Sequence, residues 1–377
     1  MPEPPPSGDT PGTVLQVLGP STGGIRRHVG ALSAALEADG WRVRTAGPEG
    51  VLDGIRPIDV VVPIPTSLQP DGLLRAARRL RKALARGSGV EIVHAHGLKA
   101  GWLAVVSRRG RRRPPVVVTV HNLILDETSG RAARIMRVLE RAVFRWADAL
   151  VAVSPEVGGY VQQHTSRPVR VIRPVGPAPV AVRPGAEVRE RLGARPGQPL
   201  VVCVARLHPQ KGLPTLIEAA ELLVAAGVGP RVAVVGEGPL AADLTALIHE
   251  KGLDATVALV GPSDNAPDEL AVADVVAIPS VWESGPLVLA EALELGRPVV
   301  ATPVGLVPEV VREGESGRIV PVGDARALAI AISDLLADPA GAAVMAEAGR
   351  QTVERVWGAD ALVQATEALY RDLLARR

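Results

Sequence analysis

The chain is 377 residues long, 47% hydrophobic and 2% aromatic, which suits two domains with sizeable cores and disfavours aromatic platforms for sugars or single-stranded nucleic acid. Its net charge of +2 hides two opposed halves: residues 1–180 carry 25 Lys and Arg against 14 Asp and Glu, and residues 181–377 carry 17 against 26. The basic half favours acidic partners such as phosphorylated substrates or anionic lipid, and no apolar run reaches the roughly 18 residues that a helical membrane span needs.

The first twelve residues, MPEPPPSGDTPG, have no positive n-region and no apolar h-region; they read as a disordered tail rather than a signal peptide. β-Branched apolar runs then predict strands over 13–19, 41–46, 58–64, 91–96, 116–121, 149–154 and 169–174. Amphipathic runs between them predict helices over 25–39, 72–86, 98–109, 131–147 and 155–164. The Pro/Gly-rich stretch 174–199 reads as an interdomain linker with one short helix. The alternation restarts with strands over 200–207, 231–237, 256–261, 274–280, 298–303 and 317–322, and helices over 212–227, 239–252, 266–273, 286–295, 306–312 and 324–337. A last helix is expected over 359–374. This is the signature of α/β architecture: two doubly wound Rossmann-like domains, 13–178 and 179–358, facing a cleft, with ligands outside the carboxyl ends of the strands. The single Cys203 lies in the apolar run LVVCVARL and reads as a small core residue. Together these features point to the cytoplasm.

Three segments could carry chemistry at that cleft. STGGIRRHV (21–29) is a strand–loop–helix junction whose Gly23 and Gly24 allow a tight bend and close approach to a phosphate or sugar, though a pair of glycines also makes an ordinary turn. ARLHPQKG (205–212) ends a strand with Arg206 and Lys211, a guanidinium fork and a point charge suited to a diphosphate whose leaving group gains negative charge. VWESGPLVLAE (281–291) sets two glutamates eight positions apart. Gly285 admits a ligand near the backbone, Pro286 suits the first helical position, and the following N–H groups would face an anion. Glu291 then lies between one and two turns into a helix and could accept from both hydroxyls of a ribose, while Glu283 precedes it on the loop. A pre-helix acid and a solvated helix residue fit the same spacing.

Among the histidines, His121 ends a strand and could line the cleft, although strand-end histidines are often structural. His94 and His96 face one side of a strand at i, i+2. With no third ligand identifiable, they assign no metal site. In 72–87, Leu73, Leu74, Ala77, Leu80 and Leu84 share a face and six basic residues crowd the others. Such a helix can lie on an anionic membrane, assisted by RRGRRR (108–113), or it can simply pack on the sheet with a solvated basic face.

Taken together and in this order, the segments resemble the family 4 glycosyltransferases, whose fold is GT-B. The likeness runs from GGIRRHVGALSAALEADGWRV through VVVTVHN, ADALVAVS, VARLHPQKGLPTLIEAAELL and VVGEGPL to WESGPLVLAEALELGRPVVATPVGLVPEVV. It implies transfer of a hexosyl-type sugar from a UDP- or GDP-sugar to a hydroxyl acceptor with retention of configuration. No metal or other cofactor is implied, because the basic pair and a helix N-terminus would neutralise the phosphates. By position, Arg206 and Lys211 would hold the diphosphate, Glu291 the ribose, and Glu283 and His121 the donor sugar. Gly24 would approach the phosphate. Backbone near Pro262 would meet the base, and Gly285, Pro286, Leu287 and Val288 the phosphates and sugar. Gly23, Arg26, Arg27 and His96 fall on the acceptor side. The C-terminal helix would cross back to the first domain.

Two departures from the family pattern stand out. Arg173-Pro174-Val175-Gly176 replaces the frequent Pro-Asn-Gly-Val crossover turn, and Ser284-Gly285-Pro286 replaces Gly-Phe-Gly. The expected partners are a nucleotide-sugar donor, an unidentified hydroxyl acceptor and the inner face of an anionic membrane, with no nucleic acid. A nucleotide-sugar epimerase or hydrolase on the same fold, or a non-catalytic nucleotide-sugar binder, would be the alternatives.

Overall fold

The computed structural model describes residues 11–376 except 22, 68, 86, 109–112 and 123–130, with the side chains of 131–134 also outside the description. The chain divides into two units: residues up to Pro177 together with those from Ala359 onward, and Ala178–Gly358.

The first unit contains β1 (Thr13–Leu18), α1 (Gly24–Ala38), β2 (Arg42–Gly47), β3 (Val60–Val61), α2 (Pro70–Ala83), β4 (Ile92–His96), α3 (Leu98–Ser107), β5 (Val116–Val120), α4 (Arg131–Trp146), β6 (Ala149–Ala152), α5 (Pro155–Gln163) and β7 (Val169–Val171). Its seven strands are parallel, in the order β3-β2-β1-β4-β5-β6-β7. The strands read as nearly continuous apolar runs because helices cover both faces of such a sheet. β4 and β5 are buried along their whole lengths. β3 is only two residues long, where 58–64 was expected as a strand. Pro57, Pro63 and Pro65 surround it and can donate no ladder hydrogen bond.

The second unit contains α6 (Gly185–Arg191), β8 (Leu200–Val204), α7 (Leu213–Ala225), β9 (Arg231–Val235), α8 (Ala241–Glu250), β10 (Val257–Leu259), α9 (Ala266–Ala271), β11 (Val275–Ile278), α10 (Leu287–Glu294), β12 (Val299–Ala301), α11 (Val307–Val310), β13 (Arg318–Ile319), α12 (Ala325–Ala337) and α13 (Pro339–Trp357). Its strands, again parallel, are ordered β10-β9-β8-β11-β12-β13. α14 (Ala359–Ala375) returns to the first unit, where it packs on α1. There Glu367 accepts from Trp41 Nε1 at 2.7 Å and Tyr370 packs edge-on against the Trp41 ring.

Two expectations need correction, and one alternative is decided. The stretch 174–199 is not all linker, since 178–199 belongs to the second unit. Buried Asp268 accepts from the backbone N–H of Val182, at 2.6 Å, and of Arg183, while Val188 and Leu192 enter the core. The 19-residue α13 was not foreseen, although Asp338-Pro339 is a strong helix start: the Asp338 carboxylate accepts from Gly341 N–H and Pro339 occupies the first turn. In α2, the side turned inward is Gly72, Ala76, Ala77 and Leu80, whereas Leu74 is half exposed. Of the two readings of this helix, its apolar face follows the one in which it packs on the sheet as part of the domain core.

Candidate active site

In both sheets the strand order reverses at one point, between β1 and β4 and between β8 and β11. Such a switch point opens a crevice at the carboxyl ends of the strands. The candidate residues sort into two groups, one at each switch point.

In the second unit, β8 leads into the loop carrying Arg206 and Lys211, and its neighbour β11 leads into the loop carrying Glu283. The first loop closes in a short 3₁₀ turn, Pro209–Lys211, whose entry is capped by His208. Gly212 ends that turn at φ +61°, and a Cβ there would lie 1.9 Å from the Pro279 carbonyl oxygen. Only glycine permits both the left-handed conformation and this approach. The Val281 N–H then donates to the Gln210 carbonyl at 2.8 Å, joining the two loops.

Across this junction Lys211 Nζ forms an ion pair with Glu283 Oε1. Glu283 is 6% exposed and also accepts from Ser280 Oγ at 2.9 Å; the Ser280 carbonyl in turn accepts from Thr302 Oγ1 at 2.5 Å. Behind the Glu283 loop, Gly305 at φ +57° leaves room that a Cβ would fill, 2.5 Å from the Glu283 carbonyl oxygen. Arg206 is exposed.

Pro286 caps α10 instead of occupying its first turn, and helical bonding starts at Leu287. Glu291 is the fifth residue of α10 and is 4% exposed, so it is not the solvated helix residue that spacing alone also allowed. One turn on, burial together with the Glu291 and Glu354 carboxylates pushes the Glu294 carboxyl up to about 7. Pro262 follows β10 at the same edge of the sheet, two strands from β8, or about 10 Å by strand spacing. Cys203 on β8 is buried, and desolvation pushes its thiol up to about 12, which removes it as a nucleophile.

In the first unit, Gly23 precedes α1 at φ +69° and Gly24 is the first helical residue. Arg26 donates to the Asp53 carbonyl, which ties part of its guanidinium to a turn. His96 is the last residue of β4 and His121 directly follows β5. His96 Nδ1 and His121 Nε2 are 3.2 Å apart, and both rings are buried. A different trio, not built on the His94 and His96 pair, comes together here. His28 on α1 joins His96 and His121, with one ring nitrogen from each lying within 4.8 Å of the others. His94 stands outside this trio, stacked on His96 with ring centroids 4.4 Å apart. Burial pushes His28 down to about 4 and His94 to about 3, and holds His96 and His121 well below the ordinary imidazole range. All four rings are therefore neutral at pH 7.

Sequence reasoning missed His28, Gln16, Ser280, Thr302 and Tyr370. Gln16 carried a signal, as a polar residue in the middle of the apolar strand TVLQVL. Ser280 lies only three residues before Glu283 on the same loop, and the others become visible only when distant elements meet.

Residues 186–352 match the family described as glycosyl transferases group 1, and residues 23–176 match the glycosyl transferase 4-like domain. The chain is 34% identical over 292 residues to D-inositol 3-phosphate glycosyltransferase of Rhodococcus opacus, covering 71% of this chain and 64% of that protein. It is 32% identical over 286 residues to the GDP-mannose-dependent alpha-(1-6)-phosphatidylinositol monomannoside mannosyltransferase of Mycolicibacterium smegmatis, covering 73% and 68%. Several curated relatives are thus matched over only 60 to 64% of their own length. Among solved structures, sucrose-phosphate synthase from Thermosynechococcus elongatus superposes with a TM-score of 0.78 at 24% identity, covering 97% of this chain and all of that one. This similarity shows a common fold.

Proposed function

The chain belongs to the family 4 glycosyltransferases of the GT-B fold, and from that membership we propose that it transfers a hexosyl-type sugar from a nucleoside diphosphate sugar to a hydroxyl acceptor, with retention of configuration and without a metal. The observation that carries this is the set of groups at the β8/β11 switch point: Arg206 and Lys211 on one loop, Glu283 on the next, and buried Glu291 on the helix that follows.

The chemistry follows from where charge develops. As the glycosidic bond to the diphosphate breaks, negative charge builds on the leaving oxygen. Arg206 and Lys211 offset it, and the first N–H groups of α10 add their dipole. These groups do the work that a divalent cation does at other phosphate sites. Glu291 accepts from the ribose hydroxyls, and backbone beside Pro262, about 10 Å from β8 by strand spacing, meets the base. Glu283, held by Ser280 and Lys211, orients the sugar. It is not assigned as a nucleophile, because the leaving phosphate can itself take the proton of the acceptor hydroxyl.

The basic first unit supplies the acceptor side, with Gly23, Arg26 and Arg27 at the start of α1 and His96 at the end of β4, while Gly24 and His121 of the same unit are assigned to the phosphate and the sugar of the donor. One relative is named for D-inositol 3-phosphate and the other for a phosphatidylinositol monomannoside, both inositols bearing phosphate. The acceptor proposed here is of that class, a polyol bearing phosphate. A cytoplasmic site at the inner face of an anionic membrane accords with exposed Arg75, Arg78, Arg79 and Lys82 on α2. With the apolar face of α2 buried, such contact would be electrostatic. Of the 108–113 cluster, 109–112 lie outside the described residues, and Arg108 is paired with Asp148.

The test is to incubate the purified chain with UDP- or GDP-sugars and inositol phosphate in the presence of a chelator, and to identify products by mass spectrometry and NMR. A glycosylated acceptor with the donor's anomeric configuration is expected, and Lys211→Ala and Glu291→Ala should abolish it. Free sugar alone, an epimerised donor, an inverted product or dependence on added metal would each overturn the corresponding part.

A further inference from the structure

In the first unit three successive crossovers, β3 to β4, β4 to β5 and β5 to β6, run in one direction along the sheet, so right-handed connection puts α2, α3 and α4 on one face. There α2 packs on α3 and α3 on α4. The outward side of this layer is basic. Among the described residues its one exposed acid is Asp71, since α3 has none and Glu140 of α4 is buried. α4 turns Leu139, Val143 and Phe144 to the core. What it turns outward falls into two rows. Arg137, Arg141 and Arg145, at i, i+4 and i+8, are exposed in one. Ile135, Val138, Ala142 and Trp146, at i, i+3, i+7 and i+11, form the other, and Ile135, Val138 and Trp146 are 47%, 63% and 49% exposed.

Beside the arginine row the surface opens into a cavity of about 410 Å³ lined by Arg141, Arg145, His164, Thr165, Ser166 and Arg167. The lining holds three guanidiniums and no carboxylate. Guanidinium forks and hydroxyls are the donors that a phosphate group takes. The neighbouring apolar row leaves water only where an apolar phase meets the helix, and a tryptophan at its end suits the boundary between headgroups and acyl chains. A second copy of the chain fits this face badly, because a two-fold contact through α4 sets one arginine row against another. A nucleic acid would neutralise the arginines and leave the apolar row in water. A bilayer containing anionic phospholipid satisfies both rows at once.

We propose that α4 docks this unit on an anionic phospholipid bilayer, with Ile135, Val138 and Trp146 at the level of the upper acyl chains, the arginine row against lipid phosphates, and one headgroup in the cavity beside that row. This rests on the membrane-surface reading given above, where α2 offers only electrostatic contact, and supplies the element that inserts. It does not depend on the transfer reaction. The exposed basic residues of α2, in the same layer, add attraction from a distance. Each arginine near the surface contributes about fivefold to the partition coefficient.

The experiment sediments the full chain with vesicles of phosphatidylcholine, alone or with about one third phosphatidylglycerol. The wild type should bind only the mixed vesicles, and less as salt rises. Replacing Arg137, Arg141 and Arg145 together by Ala should lower the partition coefficient by about 100-fold, and Val138→Asp should lower it by about tenfold. Phosphatidylcholine brominated on its acyl chains, mixed with phosphatidylglycerol, should quench tryptophan fluorescence of the wild type. Trp146→Phe should still bind but lose that quenching. Equal binding to neutral and anionic vesicles, full binding by the triple variant, or unchanged quenching in Trp146→Phe would each overturn the proposal. So would a chain that ignores vesicles and instead forms a dimer broken by Val138→Asp, or one that binds duplex DNA and no vesicle. If the triple variant fails to fold, the quenching of the wild type and of Trp146→Phe decides. Transfer to soluble inositol phosphate should be equal in the wild type and these variants. Its absence from all of them would refute the transfer reading and leave the vesicle result standing.

Discussion

Lys211 and Glu283, 72 positions apart in sequence, form an ion pair that bridges the two loops at the switch point of the second sheet. Their side chains are 18% and 8% exposed. The cation proposed for the phosphates and the carboxylate proposed for the sugar therefore hold each other before any donor arrives, so both sit pre-positioned.

Removing one partner should leave a nearly buried charge uncompensated. Lys211→Ala should lower unfolding free energy by about 3 kcal/mol, measured by urea denaturation. Adding Glu283→Gln should recover part of the loss. Simple additivity of the two single losses would show that the pair is not coupled.

Glu291→Gln should weaken nucleotide binding by about 10- to 100-fold, the loss of a charge-assisted hydrogen bond worth roughly 1.5–3 kcal/mol. Calorimetry with UDP and GDP reads this directly. A 2′,3′-dideoxy nucleotide should bind the wild type as poorly as the natural nucleotide binds the variant. Equal affinity of the wild type for both nucleotides would remove Glu291 from the ribose.

Gly212→Ala should separate the loops. The left-handed φ of +61° and the 1.9 Å approach to the Pro279 carbonyl leave no space for a methyl group. A loss of about 2 kcal/mol or more is expected from thermal unfolding, with donor binding reduced in parallel.

Acid should destabilise the first unit through its buried imidazoles. His28 and His94 are pushed down to about 4 and 3 from an ordinary 6.5, chiefly by desolvation. Between pH 6.5 and 4 the unfolded chain binds protons that the folded chain refuses. The stability contributed by neutral histidines is thus complete above pH 6.5 and falls as pH falls through that window. His28 alone accounts for about 3 kcal/mol at its acid end. Urea midpoints between pH 7.5 and 4.5 should decline more steeply for the wild type than for His28→Gln. Identical slopes would show that His28 is not held neutral.

The alternation of apolar strands with amphipathic helices was legible in the sequence because a parallel sheet covered on both faces writes itself as continuous apolar runs. The turn at Gly23 and the helix start between Glu283 and Glu291 were legible because turns and helix starts are local events. The sequence pattern could not resolve whether Glu291 was solvated or buried, since helical spacing fits both. That depended on how α10 packs. It also could not show that Lys211 meets Glu283, that His28 completes a trio with His96 and His121, or that Tyr370 reaches His94 from the far end of the chain. Each of these relations joins residues from elements distant in sequence. Strand order and the return of the last helix bring them together, and charge and proton position are then set by neighbours that local pattern does not contain.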